Sequence, residues 1–112
     1  MTMHTDEIMT WHEGNLRRYE KKHGIVIDRE VLLLKLMEET GEFAQALLIL
    51  EDKCRVSKRI DKETARVHVA EELADVLGTV LSLAIEMKID VFEELRKKSL
   101  EKGKVFLEKD IP

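Results

Sequence analysis

The sequence predicts an all-α fold, a four-helix bundle that oligomerises through its helices, and three observations lead there. Charged residues make up 38% of the chain and aromatic residues only 4%, so the β-branched and aromatic runs that mark strands are scarce. A single proline in 112 residues leaves long stretches without a helix breaker. Apolar residues recur at helical spacing in blocks separated by capping and stop signals. At this length residues 1–112 form one domain, and so small a domain gains considerably from association, as a dimer or a tetramer.

The first helix begins near Thr5-Asp6-Glu7, where acids suit the positive end of a helix, and stops at Gly24 after Lys21-Lys22-His23. Asp28 caps a second helix through Val31, Leu32, Leu36, Phe43, Leu47 and Leu50, ending around Glu51 to Lys53. Gly41 lies in its middle, where glycine costs about 1 kcal/mol relative to alanine, so it marks either close packing or close approach of something next to Glu42, or a tolerated glycine without a role. From Cys54 to Asp61 the periodicity lapses and Lys53, Arg55, Lys58 and Arg59 gather in the main loop. The third helix, Lys62 to Lys88, carries the densest apolar pattern and is expected to be the most buried. Asp90 caps a fourth, through Phe92, Leu95 and Phe106, with a basic surface at Arg96, Lys97, Lys98, Lys102 and Lys104 and with Gly103 as its end or a loosened point.

A net charge of -4 and a pI near 5.6 exclude the electrostatic footprint of a duplex-binding protein, so nucleic acid is not an expected partner. The longest uncharged run, Val76 to Ile85, is far short of a membrane span, and the N-terminus lacks the blocks of a signal peptide. A cytoplasmic protein is expected. Cys54 has no internal disulfide partner; Lys53 and Arg55 beside it favour its thiolate, but nothing else in the pattern makes it a nucleophile.

Two acidic clusters, Glu38-Glu39-Thr40-Gly41-Glu42 and Glu71-Glu72-Leu73-Ala74-Asp75, interrupt the two most hydrophobic stretches. Each repeats a carboxylate at i, i+3, so Glu39 with Glu42 and Glu72 with Asp75 project from one side of a helix. On a helical wheel the apolar arc of the second helix centres on Leu36, Thr40, Phe43 and Leu47, with Glu39 at its edge, Glu42 next to it and Glu38 pointing away. On the third helix Glu72 borders the arc and Asp75 lies beside it, in a polar stripe continued by His68, Thr79 and Glu86. Four converging carboxylates without a cation repel one another, and a hard divalent ion, Mg²⁺ or Mn²⁺, removes that penalty. The alternative is a solvated acidic face paired with Lys35 and Arg66. A di-iron bundle is disfavoured, because neither cluster has the Glu-x-x-His spacing. Trp11 either packs in a core or interface or stacks on a base, and His68 is expected to be a bystander beside Glu72.

Glu38-Glu39-Thr40-Gly41-Glu42 followed by Glu72-Leu73-Ala74-Asp75 resembles the EExxE and ExxD motifs of the MazG-like family of all-α nucleoside triphosphate pyrophosphohydrolases. Leu36-Met37, Phe43-Ala44-Gln45-Ala46-Leu47 and Val76-Leu77 are similar in their surroundings, and the likeness extends from about Asp28 to Lys102. The resemblance implies cleavage of nucleoside triphosphates between the α and β phosphates, giving monophosphate and pyrophosphate, in the service of nucleotide-pool house-cleaning. It implies Mg²⁺, with Mn²⁺ as a substitute, held by Glu39, Glu42, Glu72 and Asp75. Glu39 and Glu38 are the catalytic carboxylates it implies, Glu38 as outer ligand or water-orienting base. Two features depart from the family: the 29 residues between Glu42 and Glu72 form a long spacer, and the fourth helix lacks the usual Lys, Asn and Arg pattern. Lys98, Lys102 and Lys104 are the available point charges for the triphosphate, with a solvated basic face as the alternative. A phosphoribosyl-ATP pyrophosphohydrolase and a non-enzymatic helical module binding a basic partner are the rival functions.

Overall fold

A computed structural model describes residues 4–110, so residues 1–3, 111 and 112 of the expected single domain lie outside the described residues. Every regular element in it is helical: α1 (Thr5–His23), α2 (Arg29–Leu50), a 3₁₀ turn (Val56–Lys58), α3 (Lys62–Met87), α4 (Val91–Leu95), a π-helical stretch (Arg96–Glu101) and α5 (Lys102–Asp110). The chain signals act where the sequence places them. Gly24 takes the left-handed conformation that ends α1, at φ 62°. The Asp28 carboxylate accepts from the Val31 N–H at 2.9 Å, and the Asp61 carboxylate accepts from the Thr64 N–H at 2.9 Å and from its hydroxyl at 2.9 Å. Asp90 caps α4 through the Glu93 N–H at 3.1 Å. The start of α1 differs: its N-cap is His4, which makes no side-chain capping bond.

α2 and α3 form an antiparallel hairpin, and α1 lies against α3. The α1 contact is pinned by Arg17, which pairs with Glu20 on its own helix at 2.6 Å and reaches across to Glu86 of α3. The other oxygen of Glu20 accepts from the Ile27 N–H at 2.7 Å, tying down the turn between α1 and α2. Leu16, Ile27 and Leu32 form the small buried core under this junction, with Leu83 and Ile85 of α3 packed on it.

The seam between α2 and α3 is not centred where the wheel puts it. Leu32, Leu36, Glu39, Phe43, Ala46 and Leu50 face inward from α2, and Ala65, Val69, Glu72, Val76, Thr79 and Leu83 from α3. Both runs step by four and three residues, the repeat of a packed helix pair. Thr40 and Leu47, expected near the centre of the arc, are exposed, and so are Leu73 and Leu77 of the helix expected to be the most buried. Of the two readings of Gly41, the tolerated glycine fits this chain, since no atom lies within 4 Å of where its Cβ would stand.

The C-terminal arm, 91–110, continues past Gly103 without a break, and the loosening expected at that glycine comes one turn earlier as the π-helical stretch. The arm packs mainly on itself, with Arg96 bridging Glu93 at 2.7 Å and Glu101 at 2.6 Å. No helix among the described residues is long and apolar enough to cross a membrane.

Candidate metal centre and adjoining cavity

Midway along the hairpin the two seams each contribute a carboxylate where an apolar side chain would normally sit. Glu39 is only 7% exposed and Glu72 is half-buried, and each leaves its Oε2 buried without a hydrogen-bond partner. A buried unpartnered carboxylate oxygen carries a large desolvation cost, which a bound cation removes. Asp75, one turn beyond Glu72 on the exposed edge of α3, completes a cluster in which one oxygen from each of the three lies within 4.8 Å of the others. Three oxygen donors at such spacing suit a hard divalent ion.

Glu42 stands beside the cluster, exposed. The charge of Glu39 holds its carboxyl above the usual range, with lost solvation and the charges of Glu72 and Glu38 acting in the same direction. Glu38 is exposed, as the wheel requires, and Glu71 is exposed as well. Sequence reasoning assigned no role here to Lys35 beyond a surface pair. Its Nζ lies 3.1 Å from Glu39 Oε1 and 3.2 Å from Glu38 Oε1, and those carboxylates, Glu39 first, raise its pKa. Lys35 thus supplies one positive charge to Glu39 Oε1, while the Oε2 atoms of Glu39 and Glu72 still lack a partner.

A cavity of about 490 Å³ opens directly beside the carboxylates, with Glu39, Asp75 and Lys35 at one end of its wall. Its far wall is α1, which contributes Trp11, His12, Asn15 and Tyr19. Trp11 is 57% exposed, so it is a wall of an open cavity and not a core residue. His12 packs edge-on to Trp11 at a centroid distance of 4.9 Å, and its ring reaches so close to α3 that a Cβ on Gly78 would lie 3.0 Å from its Cε1. Burial under this contact lowers the His12 pKa below its ordinary value of 6.5. Gly78, unremarked in the sequence, is what lets α1 approach α3 here. Asn15 and Tyr19 carry no sequence signal beyond their place one and two turns after Trp11.

His68, on the same edge of α3 as Asp75, is exposed and does not join the three-carboxylate cluster. Lys98, Lys102 and Lys104 lie on the C-terminal arm; none lines the cavity beside the carboxylates, and none forms an ion pair among the described residues. One chain therefore brings together Glu39, Glu72, Asp75, Glu42 and the cavity with Trp11, and leaves the three lysines apart.

No protein-family model matches the chain, no curated protein matches its sequence, and no solved structure matches its fold.

Proposed function

We propose that the protein is a Mg²⁺-dependent nucleoside triphosphate pyrophosphohydrolase of MazG-like type, converting a ribo- or deoxyribonucleoside triphosphate and water to the monophosphate and pyrophosphate. The observation that carries this reading is the pair of buried, unpartnered oxygens, Glu39 Oε2 and Glu72 Oε2, in a three-carboxylate cluster whose Glu39 and Asp75 line an aromatic-walled cavity. Glu39, Glu42, Glu72 and Asp75 would hold the ion. When bound, Mg²⁺ neutralises phosphate oxygens and favours ionisation of water.

The chain's own residues supply the rest. Trp11 and Tyr19 offer flat apolar surface to a base, and His12 and Asn15 offer hydrogen-bonding groups to its edge. Glu38 remains outside the ligand cluster and is assigned to accept the proton of the attacking water. Water adds its oxygen to one phosphorus of the α–β bridge, and the bridging bond breaks to release monophosphate and pyrophosphate. The assembly expected with this reading is a homo-oligomer, within which Lys98, Lys102 and Lys104 of the arm approach the phosphates; removal of unwanted nucleotides in the cytoplasm is the corresponding role.

Incubating the protein with a panel of ribo- and deoxyribonucleoside triphosphates and Mg²⁺, beside a Glu39→Gln control, tests the proposal. Pyrophosphate release that requires the metal and disappears in the variant is the expected result. Turnover of phosphoribosyl-ATP alone reassigns the substrate. No turnover together with no melting shift on adding Mg²⁺ or Mn²⁺ overturns the enzyme in favour of a binding module.

A further inference from the structure

A second cavity, of about 340 Å³, opens where α2 runs into the loop that joins it to α3. Gln45, Leu48 and Ile49 of α2 form one wall, and Lys53, Cys54, Arg55 and Lys58 form the other. No carboxylate lines it. None of the three cations makes an ion pair or a side-chain hydrogen bond among the described residues, in a chain with 23 acidic and 19 basic groups. The nearby carboxylate of Asp52 is taken by Lys62 at 2.9 Å, and Lys62 also donates to the Leu50 carbonyl, so the C-terminus of α2 already has its cation. The loop is held in place: the Lys53 N–H donates to the Leu48 carbonyl at 2.8 Å and the Lys58 N–H to the Arg55 carbonyl at 2.8 Å.

The position of this pocket is as informative as its charge. Val31, Lys35, Glu38, Glu42, Gln45 and Ile49 step by four and three residues and so share one flank of α2. Along that flank the order is aromatic cavity at Val31 and Lys35, the carboxylates Glu38 and Glu42 beside the three-membered cluster, and cation pocket at Gln45 and Ile49, and Gln45 lies about 4.5 Å along the axis from Glu42, with Ile49 about 10 Å from it. A ligand whose base occupies the first cavity and whose α-phosphate sits at the carboxylates points the rest of its polyphosphate toward the loop.

We infer that the cation pocket of Lys53, Arg55 and Lys58 binds the diphosphate end of the substrate, and pyrophosphate after cleavage; this rests on the reaction proposed above. Three unpaired cations around a concavity match the charge of a diphosphate and leave a monophosphate product without a hold there. The long α2–α3 connection is then part of the site.

Cys54 lies in the pocket wall and reports on its occupancy. In EDTA, which disables the carboxylate centre, the rate at which an aromatic disulfide reagent modifies Cys54 is measured with and without inorganic pyrophosphate, and with a nucleoside monophosphate. Pyrophosphate should slow the reaction and the monophosphate should not. A Lys53→Gln, Arg55→Gln, Lys58→Gln triple variant, altered only in the loop, should bind pyrophosphate at least about tenfold more weakly, read as the ratio of rates with and without the anion. Its KM for triphosphates should rise by about the same factor. No protection, or protection that needs Mg²⁺ and survives in the triple variant, overturns the inference. Protection in EDTA by a protein that cleaves no triphosphate sinks the proposed reaction and leaves the pocket as a diphosphate site.

Discussion

Lys35 and Glu39 define what an ion-free site has to solve. Glu39 is buried in a helix seam, and Lys35 is its one charged partner, reaching in from the half-exposed flank. Exchanging Lys35 for methionine keeps the aliphatic stem and removes the charge, so it should cost about 1–2 kcal/mol in EDTA, below the figure for a fully buried pair because solvent screens this one. Mg²⁺ should then raise the melting temperature of the variant more than that of the wild type, and equal shifts would show that no ion reaches Glu39. His12 gives a pH signature. Its pKa is depressed by burial, so the unfolded chain binds its proton at higher pH than the fold does. The stability this represents is present above the ordinary value of 6.5 and lost as pH falls through it toward the depressed one. Melting temperatures between pH 7.5 and pH 5 should therefore fall more for the wild type than for His12→Gln. At this scale the motif acids were legible because carboxylates at i, i+3 in apolar runs are unusual. Lys35, Asn15 and Gly78 were not, because a lysine near glutamates, a polar helix residue and an interior glycine each occur routinely without a site.

At the scale of the element, the caps settle the helices and the wheel does not settle their faces. Asp28, Asp90 and Gly24 mark boundaries in sequence and perform that task in the fold, because capping depends on residues adjacent in the chain, and Asp61, marked in sequence only as the end of a loop, caps α3 in the same way. Removing the Asp61 side chain with alanine should lower the melting temperature, and the loss relative to wild type should vanish at low pH, since hydrogen bonds from Thr64 hold the Asp61 carboxyl below its usual range and protonation cancels them. The facing of α2 and α3 differs from the expected one for a specific reason. Each helix carries two apolar stripes, the seam and a flank beside it made of Leu33, Met37 and Leu47 on α2 and Leu73 and Leu77 on α3. An arc drawn through all apolar residues falls between the stripes, which moves Glu39 and Glu72 from the centre of the seam to its edge. Gly41 follows from the same picture: with open space at its Cβ, Gly41→Ala should stabilise the isolated chain by about 1 kcal/mol through helix propensity.

For the whole molecule, the open flank and the arm set the terms. The radius of gyration is 17.7 Å, whereas a compact domain of this length would have about 13 Å. The excess matches an arm that packs mainly on itself and a hairpin with one side uncovered. Leu33, Met37, Leu47, Leu73 and Leu77 stay 39–66% exposed on one continuous flank, and Leu100, Phe106 and Leu107 of the arm are 63–67% exposed. The homo-oligomer proposed above would cover contiguous apolar surface of this kind. The antiparallel hairpin places that flank on the side away from Asp75 and Lys35, so a second copy seated there makes a four-helix bundle of two hairpins and leaves both carboxylate centres open. A closed two-fold arrangement also uses the same patch twice, as symmetric dimers do. Sedimentation should accordingly give at least a dimer for the wild type. The pair Leu73→Lys and Leu77→Lys places like charges on the flank without touching the seam, and should yield a folded helical monomer that retains Mg²⁺-dependent stabilisation. A monomeric wild type would refute the assembly, and loss of helix together with loss of association would mean that the hairpin itself depends on its partner.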